Sequence, residues 1–330
     1  MKKRKLGETD LYLSTVGLGT WAIGGKFQFG WGAQDDKESR AAILRSLEMG
    51  INWIDTAPVY GLGHSEEVVG SAIKGLSNRP IIATKCGITW DKTGTTTPCL
   101  KKKSIRNEAE ASLKRLGIDA IDLYQIHWPD PKTDIEEAWQ TISELVKEGK
   151  VRYGGVSNFS VQQLQQIESI HPVSSDQPLY NMFARGIEDN LLDYCRGKNI
   201  GVIVYSPMQQ GLLTGKLTKE RIKNLPEDDI RRKEGSPNFR HYSEPELSLN
   251  INFVNKIRPI AEKHGKTLAQ LAIAWVLRRP EVTAAIVGTR RPSQIEETAL
   301  ASDWTLPQED ISTIEILLSE RQKKLNIMDK

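Results

Sequence analysis

The chain has 330 residues, 38% of them hydrophobic and 26% charged, with 26 Gly, 15 Pro and 3 Cys. These proportions exclude collagen-like, disordered and disulfide-scaffold chains, and the length suits one large barrel-type domain or two of average size. Lys and Arg number 45 against 42 Asp and Glu, a net charge of +3; so small a surplus, spread along the chain, leaves no footprint for nucleic acid or an anionic membrane.

From the start, Met1-Lys2-Lys3-Arg4-Lys5 imitates the basic opening of a signal peptide, but Gly7-Glu8-Thr9-Asp10 stands where an apolar stretch should follow. The longest apolar runs, such as 271–277, are too short to span a bilayer. Cys86, Cys99 and Cys195 are odd in number and far apart, which fits free thiols in a reducing cytoplasm better than a disulfide framework or a zinc site. The expectation is a cytoplasmic protein with no membrane or nucleic-acid partner and no obligate protein partner, monomeric by default.

Residues 3–13 resemble a short hairpin, and the first buried strand begins near 16. One unit then recurs: an amphipathic helical pattern, a glycine, a short apolar run. The pattern 38–49 stops at Gly50 before Ile51-Asn52-Trp53-Ile54, and 104–116 stops at Gly117 before 121–126. Likewise 135–146 leads through Gly149 to 151–156, and 190–196 through Gly197 to 201–205. Within 135–146, Ile135, Ala138, Trp139, Ile142, Leu145 and Val146 form one helical stripe, with Glu136, Lys147 and Glu148 facing water. Glycine after the last turn is the expected left-handed cap. The Val- and Ile-rich runs read as parallel strands covered on both faces.

Strands are predicted near 16, 51, 80, 121, 151, 173, 201 and 282. Most successive starts lie roughly 20–40 residues apart, the length of a strand–helix–strand crossover. The fold class that follows is α/β, a single (β/α)₈ TIM barrel over residues 1–330 with an N-terminal β-hairpin; an open doubly wound sheet is the alternative. The largest break in the period is 207–250, where Lys216, Lys219, Arg221, Lys223, Arg231, Arg232, Lys233 and Arg240 are interleaved with Pro and Gly. Following strand seven, this insert would lie over the C-terminal face as a partly mobile cover on a bound ligand.

Barrel enzymes place their chemistry at the C-terminal ends of the strands. The eight ends read Gly19-Thr20-Trp21; Asp55-Thr56-Ala57 with Tyr60 beyond; Thr84-Lys85; Gln125-Ile126-His127-Trp128; Gly155-Val156-Ser157-Asn158; Asp176-Gln177; Tyr205-Ser206-Pro207; and Val287-Gly288-Thr289-Arg290-Arg291. Among them Asp55, Tyr60, Lys85 and His127 have an acid–base logic. A phenol titrates near pH 10, so a tyrosine acting as an acid needs its phenolate stabilised. An ammonium at Lys85, itself held charged by Asp55, would do this, and His127 would orient the substrate oxygen. The product is a proton donor aimed at a carbonyl oxygen as hydride reaches its carbon.

With these motifs the chain resembles the aldo-keto reductases over nearly its whole length, in the branch that includes bacterial enzymes and channel β subunits. The resemblance is carried by Gly17-Leu18-Gly19-Thr20-Trp21, Asp55-Thr56-Ala57-x-x-Tyr60-Gly61, Thr84-Lys85, Ile126-His127-Trp128-Pro129, Gly155-Val156-Ser157-Asn158-Phe159 and Gln177-x-x-Tyr180-Asn181. Tyr205-Ser206-Pro207, Gly211-Leu212-Leu213-Thr214-Gly215-Lys216 and Gly288-Thr289-Arg290 complete it. It implies Tyr60 as general acid, tuned by Lys85 and Asp55, with His127 positioning the carbonyl. It further implies Ser157, Asn158 and Gln177 on the nicotinamide carboxamide and Tyr205 stacked on the ring. Ser206 and the 211–216 segment, with Gly211, Leu213 and Lys216, would line the pyrophosphate, and Thr20, Trp21, Asp55, Pro207 and Met208 are further implied cofactor contacts. Gly288, Thr289, Arg290, Ser293, Gln294 and Glu297 would hold the adenosine end.

The second phosphate of the cofactor follows from charge. Arg290 and Arg291 precede Pro292, a good first helical residue, and a helix N-terminus flanked by arginines suits a dianionic phosphate. NADP(H) is therefore preferred to NADH. The chain departs here from many members, which carry lysine at the position of Gly288 and arginine at that of Gln294, so the preference rests on Arg290 or Arg291.

Several of these positions also have a plainer structural reading. The Gly17–Ala22 stretch imitates a dinucleotide fingerprint, but no helix pattern follows it, and that motif counts only between strand and helix. Asp55 alone would be a helix cap and Lys85 a surface charge; their shared position after buried strands argues for function. His64, His171, His241 and His264 read as solvated, with no metal site. Trp21, Trp90 and Trp128 fall just past strand ends and read as a substrate-binding mouth, whereas Trp53, Trp139 and Trp275 read as core, and Trp31 fits either group. Lys101-Lys102-Lys103 reads as a solvated face and Cys86 as packing. The function expected is NADPH-dependent, reversible reduction of a small-molecule aldehyde or ketone. The alternatives are a nicotinamide-binding redox-sensing regulatory subunit with little turnover and, ranked last, a lyase using Lys85 as a Schiff base.

Overall fold

The computed structural model describes residues 1–130, 134–227, 229–232 and 237–328. Eight parallel strands run in chain order around a closed barrel: Val16–Gly19, Trp53–Asp55, Ile81–Cys86, Ile121–Ile126, Val151–Ser157, Ser175–Gln177, Gly201–Val204 and Val282–Gly288. The last pairs with the first, Ala285 opposite Val16 and Gly288 opposite Gly19, so the sheet has no free edge. This is the predicted (β/α)₈ barrel rather than the open sheet.

The helices begin where short polar side chains satisfy the first orphan N–H groups. Asp35 accepts from Lys37 and Glu38 ahead of helix Asp36–Glu48, and Asp134 from Glu136 ahead of Ile135–Lys147. Ser160 with Gln163 and Thr267 with Gln270 form complete capping boxes. Gly50, Gly117 and Gly149 take the left-handed backbone expected of them. Gly197 does not: helix Leu191–Gly197 includes it, and Asn199 at φ 52° makes the turn instead, as a short polar side chain can.

The hairpin, Lys3–Lys5 paired with Tyr12–Ser14, closes the N-terminal end of the barrel. Leu6, Leu11 and Leu13 pack against Trp53, Leu123, Ile203, Ala284 and Ile286 inside it. The Trp53 indole fits because position 17 has no side chain; a Cβ there would stand 2.1 Å from its ring. With the floor filled by apolar atoms, the polar strand ends collect at the opposite face.

Two features of that face were not legible in advance. A hairpin, Ile88–Trp90 with Thr96–Pro98, follows strand three. Stretch 207–250 is several short elements rather than one loop: 3₁₀ turns Gln209–Thr214, Ile230–Arg232 and Pro237–Tyr242, and helix Lys219–Lys223, before helix Glu246–Glu262 begins inside it. Part of this stretch crosses the face to the loop after strand one. The Ile230 N–H donates to the Gly30 carbonyl at 3.0 Å, Trp31 and Asp229 pair, and the Arg231 guanidinium lies 4.8 Å over the Trp31 ring. Lys233, one of the basic residues noted there, lies outside the described residues.

Among the described residues no helix is long and apolar enough to cross a membrane. None of their His, Cys, Asp and Glu side chains gather in a group of three or more able to hold a metal ion. Cys86, Cys99 and Cys195 are free thiols.

Candidate active site

Strand two ends in Asp55 and strand three carries Lys85 beside it; both are buried. The Lys85 ammonium spends its three hydrogens on Asp55 Oδ1 at 2.6 Å, the Thr56 carbonyl at 2.9 Å and the Tyr60 phenol oxygen at 3.3 Å. Tyr60 sits in the turn between strand two and helix His64–Ile73, its N–H bonded to the Ala57 carbonyl. His127 follows strand four, and its imidazole meets the Tyr60 ring edge to face with centroids 5.8 Å apart. Four side chains spread over 73 positions of sequence thus come together.

Their charge states follow from burial. The Tyr60 phenol is pushed well above its ordinary value by desolvation, with Asp55 adding to the shift. Here the structure differs from the expectation that Lys85 would pull it down: loss of water and the nearby carboxylate oppose a phenolate. The phenol is therefore fully protonated at neutral pH, the form a proton donor needs. Burial pulls the Lys85 ammonium below its ordinary value while Asp55 pulls it back up. His127 is held well below its ordinary value by burial and then by Lys85, so its ring is neutral.

Beside these four lies a hydrogen-bonded amide cluster. The Gln177 side-chain amide donates to Asp55 Oδ2 at 2.8 Å, and the Gln177 backbone carbonyl accepts from Ser157 Oγ at 2.7 Å. Asn158 donates to Ser157 Oγ and to the His127 carbonyl, and accepts from the Tyr205 hydroxyl at 2.9 Å. Thr20 is buried, with its hydroxyl on the Asp55 carbonyl. Gln125, which stands at the strand-four end but has no role assigned from the sequence, also reaches Asp55 Oδ2, at 3.4 Å. At the mouth the Trp21 ring stacks on Tyr60 at 6.3 Å and meets Trp31 edge-on at 5.1 Å. Trp90 is half-buried in the hairpin after strand three, and Trp128 is 49% exposed.

The remaining expected cofactor residues form a strip from strand seven to strand eight. Ser206, Gln209, Gln210 and Gly211 have positive φ, which turns the backbone sharply after Tyr205. Pro207 is buried and Met208 half-buried. Leu213 is fully buried and its N–H is already bonded to the Met208 carbonyl, so its side chain serves the core. Lys216 pairs with Glu297 at 2.8 Å. Gly288 opens onto space at the end of strand eight, and Ser293 is exposed in the first turn of helix Pro292–Ala299. The Gln294 side-chain oxygen collects three donors at that helix start: the N–H groups of Arg290 and Arg291, at 2.8 and 3.1 Å, and Thr289 Oγ1 at 3.3 Å.

Arg290 and Arg291 differ. The Arg290 guanidinium is bonded to Gln34 Oε1 at 2.6 Å and to the carbonyls of Trp31 and Ala33, whereas Arg291 is exposed, 3.6 Å from Glu38. Desolvation lowers the Arg290 pKa, and the positive charges of Arg231 and Arg291 lower it further. Crowded guanidinium groups beside converging N–H donors suit a polyanion. The residues present thus fit the phosphates of a nicotinamide dinucleotide at one end and its carboxamide at the Asn158–Gln177 end.

Residues 15–319 match the Aldo/keto reductase family. The aldo-keto reductase YhdN of Bacillus subtilis is 40% identical over 321 residues, 96% of this chain and 94% of its own. The NADH-specific methylglyoxal reductase of Escherichia coli is 35% identical over 325 residues, 94% of this chain and 96% of its own. The solved structure of a glycerol dehydrogenase from Gluconobacter oxydans superposes with a TM-score of 0.87 at 37% identity, covering 97% of this chain and 95% of that one. With the family matched across the barrel, and relatives this similar over nearly their whole length, the chain belongs to the aldo-keto reductase family.

Proposed function

We propose that the protein reduces a small aldehyde or ketone to an alcohol, reversibly, with Tyr60 as the general acid and NADP(H) as the cofactor. The observation that carries this reading is the Lys85 ammonium bonded at once to Asp55 and to the Tyr60 phenol oxygen, beside the Asn158 and Gln177 amides. A reduced nicotinamide supplies the hydride when it is bound.

Because Lys85 donates to the phenol oxygen, the phenol hydrogen is left for another acceptor, and the substrate carbonyl oxygen fills that place. As negative charge develops on that oxygen, Tyr60 releases its proton and the adjacent ammonium stabilises the phenolate left behind. His127, neutral by burial, donates a hydrogen bond to the same oxygen without competing as the acid. Trp21, Trp90 and Trp128 form apolar walls of the substrate mouth. Arg291, as the exposed cation, and the N–H groups of Arg290 and Arg291 that now converge on Gln294 would hold the adenosine 2′-phosphate. Two of the relatives are named for small oxygenated compounds, methylglyoxal and glycerol, which supports a small carbonyl substrate. One is named as NADH-specific, so both cofactors belong in the test. The free thiols suit the reducing cytoplasm in which we place the enzyme.

The test is a fluorescence titration with NADPH and with NADH, followed by turnover against a panel of aldehydes and ketones. Saturable binding with measurable turnover is expected. Binding without turnover on any carbonyl would favour the regulatory-subunit alternative, and no binding of either cofactor would end the proposal.

A further inference from the structure

The interior of a (β/α)₈ barrel is normally filled by layers of branched apolar side chains, each layer drawn from alternate strands. Near the C-terminal end of this barrel, strands two, four and six instead contribute Asp55, Gln125 and Gln177, all buried. Gln125 lies directly opposite Lys85 in the pairing of strands three and four. Its amide nitrogen reaches Asp55 Oδ2 at 3.4 Å, the oxygen that also accepts from Gln177 Nε2 at 2.8 Å. Its amide oxygen in turn accepts from the same Gln177 nitrogen at 3.3 Å. Space for it is made on strand five, where residue 155 is glycine: a Cβ there would stand 3.2 Å from Gln125 Cγ and 2.4 Å from Ser175 Oγ.

These contacts do two things. Both hydrogens of the Gln177 amide nitrogen are directed inward, to Asp55 and to Gln125, so its carbonyl oxygen is the end turned away from the cluster. Asp55 Oδ2, the oxygen that does not bind Lys85, is held by two amide donors, which fixes the carboxylate while its Oδ1 accepts from the ammonium. A buried polar cluster of this kind holds one arrangement only when every member is satisfied. We infer that Gln125 is a positioning residue for the reaction: it fixes which end of the Gln177 amide meets the nicotinamide carboxamide, and it holds the Asp55 carboxylate in the orientation that meets Lys85. This rests on the reading that Gln177 meets the nicotinamide.

The test compares Gln125→Leu with Gln125→Glu in the otherwise intact protein, reading kcat and KM against pH, cofactor binding by fluorescence, and thermal unfolding. Leucine keeps the bulk and removes both polar contacts, so kcat should fall about 10–100-fold at every pH, the loss expected when a hydrogen bond to a charged group is removed, with KM for the carbonyl nearly unchanged. A glutamic acid at 125 is kept protonated at low pH by burial and by Asp55, and its O–H then donates to Asp55 as the amide does. Gln125→Glu should therefore work within about threefold of the wild type near pH 6 and lose about tenfold or more as pH rises through a new ionisation. A role confined to packing moves the unfolding temperature but creates no such pH-dependent rescue. Two variants within twofold of the wild type at all pH values, or both depressed to the same pH-independent degree, overturn the inference. If the wild type binds no nicotinamide cofactor or turns over no carbonyl, it is the functional reading that fails, and the two failures are distinguishable in the same series.

Discussion

The Lys85 ammonium and the Tyr60 phenol meet at 3.3 Å with the ammonium as donor, and the same ammonium holds Asp55 at 2.6 Å. A buried cation, a carboxylate and a neutral acid therefore share one closed network, and removing one member leaves the others uncompensated. That single arrangement governs both the chemistry and part of the stability of this end of the barrel.

The Asp55→Asn variant tests the stability side. It leaves Lys85 buried without its counter-ion, and breaking a buried pair from one side costs about 3–5 kcal/mol. The denaturant midpoint should fall accordingly, and Lys85 should lose its proton more readily because burial already favours the neutral amine. A midpoint equal to that of the wild type would show that the pair contributes nothing.

His127 should stay uncharged across the range in which an ordinary histidine titrates, since burial and Lys85 both oppose the imidazolium. Its ring signals in an NMR titration should be flat between about pH 5.5 and 7.5. His127→Gln, which keeps a donor, should retain roughly tenfold more activity than His127→Ala, about the worth of one hydrogen bond to a developing charge. Equal loss in both would remove the donor role.

Asp176 predicts a pH dependence of folding unrelated to catalysis. It is fully buried on strand six, no side chain among the described residues pairs with it, and desolvation, opposed only by the backbone N–H groups of Phe159 and Gln177, pushes it up to about 8. The folded state thus keeps a proton that the unfolded chain releases near the ordinary carboxylate value. This contribution to stability is fully present below about pH 4 and is lost as pH rises through about 8. Urea unfolding across that window should show a decline that Asp176→Asn flattens; an unchanged slope in the variant would contradict it.

The cofactor reading predicts that Arg291→Ala weakens NADPH about tenfold and leaves NADH unchanged, because only the first carries the 2′-phosphate. Arg290→Ala should instead weaken both, since its guanidinium braces Trp31, Ala33 and Gln34 in the loop after strand one. If neither change weakens NADPH selectively, the preference for the phosphorylated cofactor fails.

Much of this was legible in the residues because a parallel barrel repeats one simple signal. Buried strands read as apolar runs, and left-handed caps at Gly50, Gly117 and Gly149 mark where helices end. The polar residues after those runs, from Asp55 to Gln177, point to the site without further help. What escaped has long-range causes. The contacts of Asp229, Ile230 and Arg231 with Gly30 and Trp31 join segments about 200 positions apart that carry no periodic pattern. The role of Gln125, named only as part of a strand end, escaped because every residue of Ile121–Ile126 is buried, so no alternation separates the inward face from the outward one. The rise in the Tyr60 pKa was missed because a motif conveys proximity to Lys85 but not the loss of water.

The most direct test of the central claim is Tyr60→Phe, measured for carbonyl turnover and for nicotinamide cofactor affinity in the same preparation. Loss of the phenol hydrogen should lower kcat by about 10²–10⁴-fold while the dissociation constant of the cofactor stays within about twofold. Turnover at the wild-type rate would contradict the assignment of the proton donor.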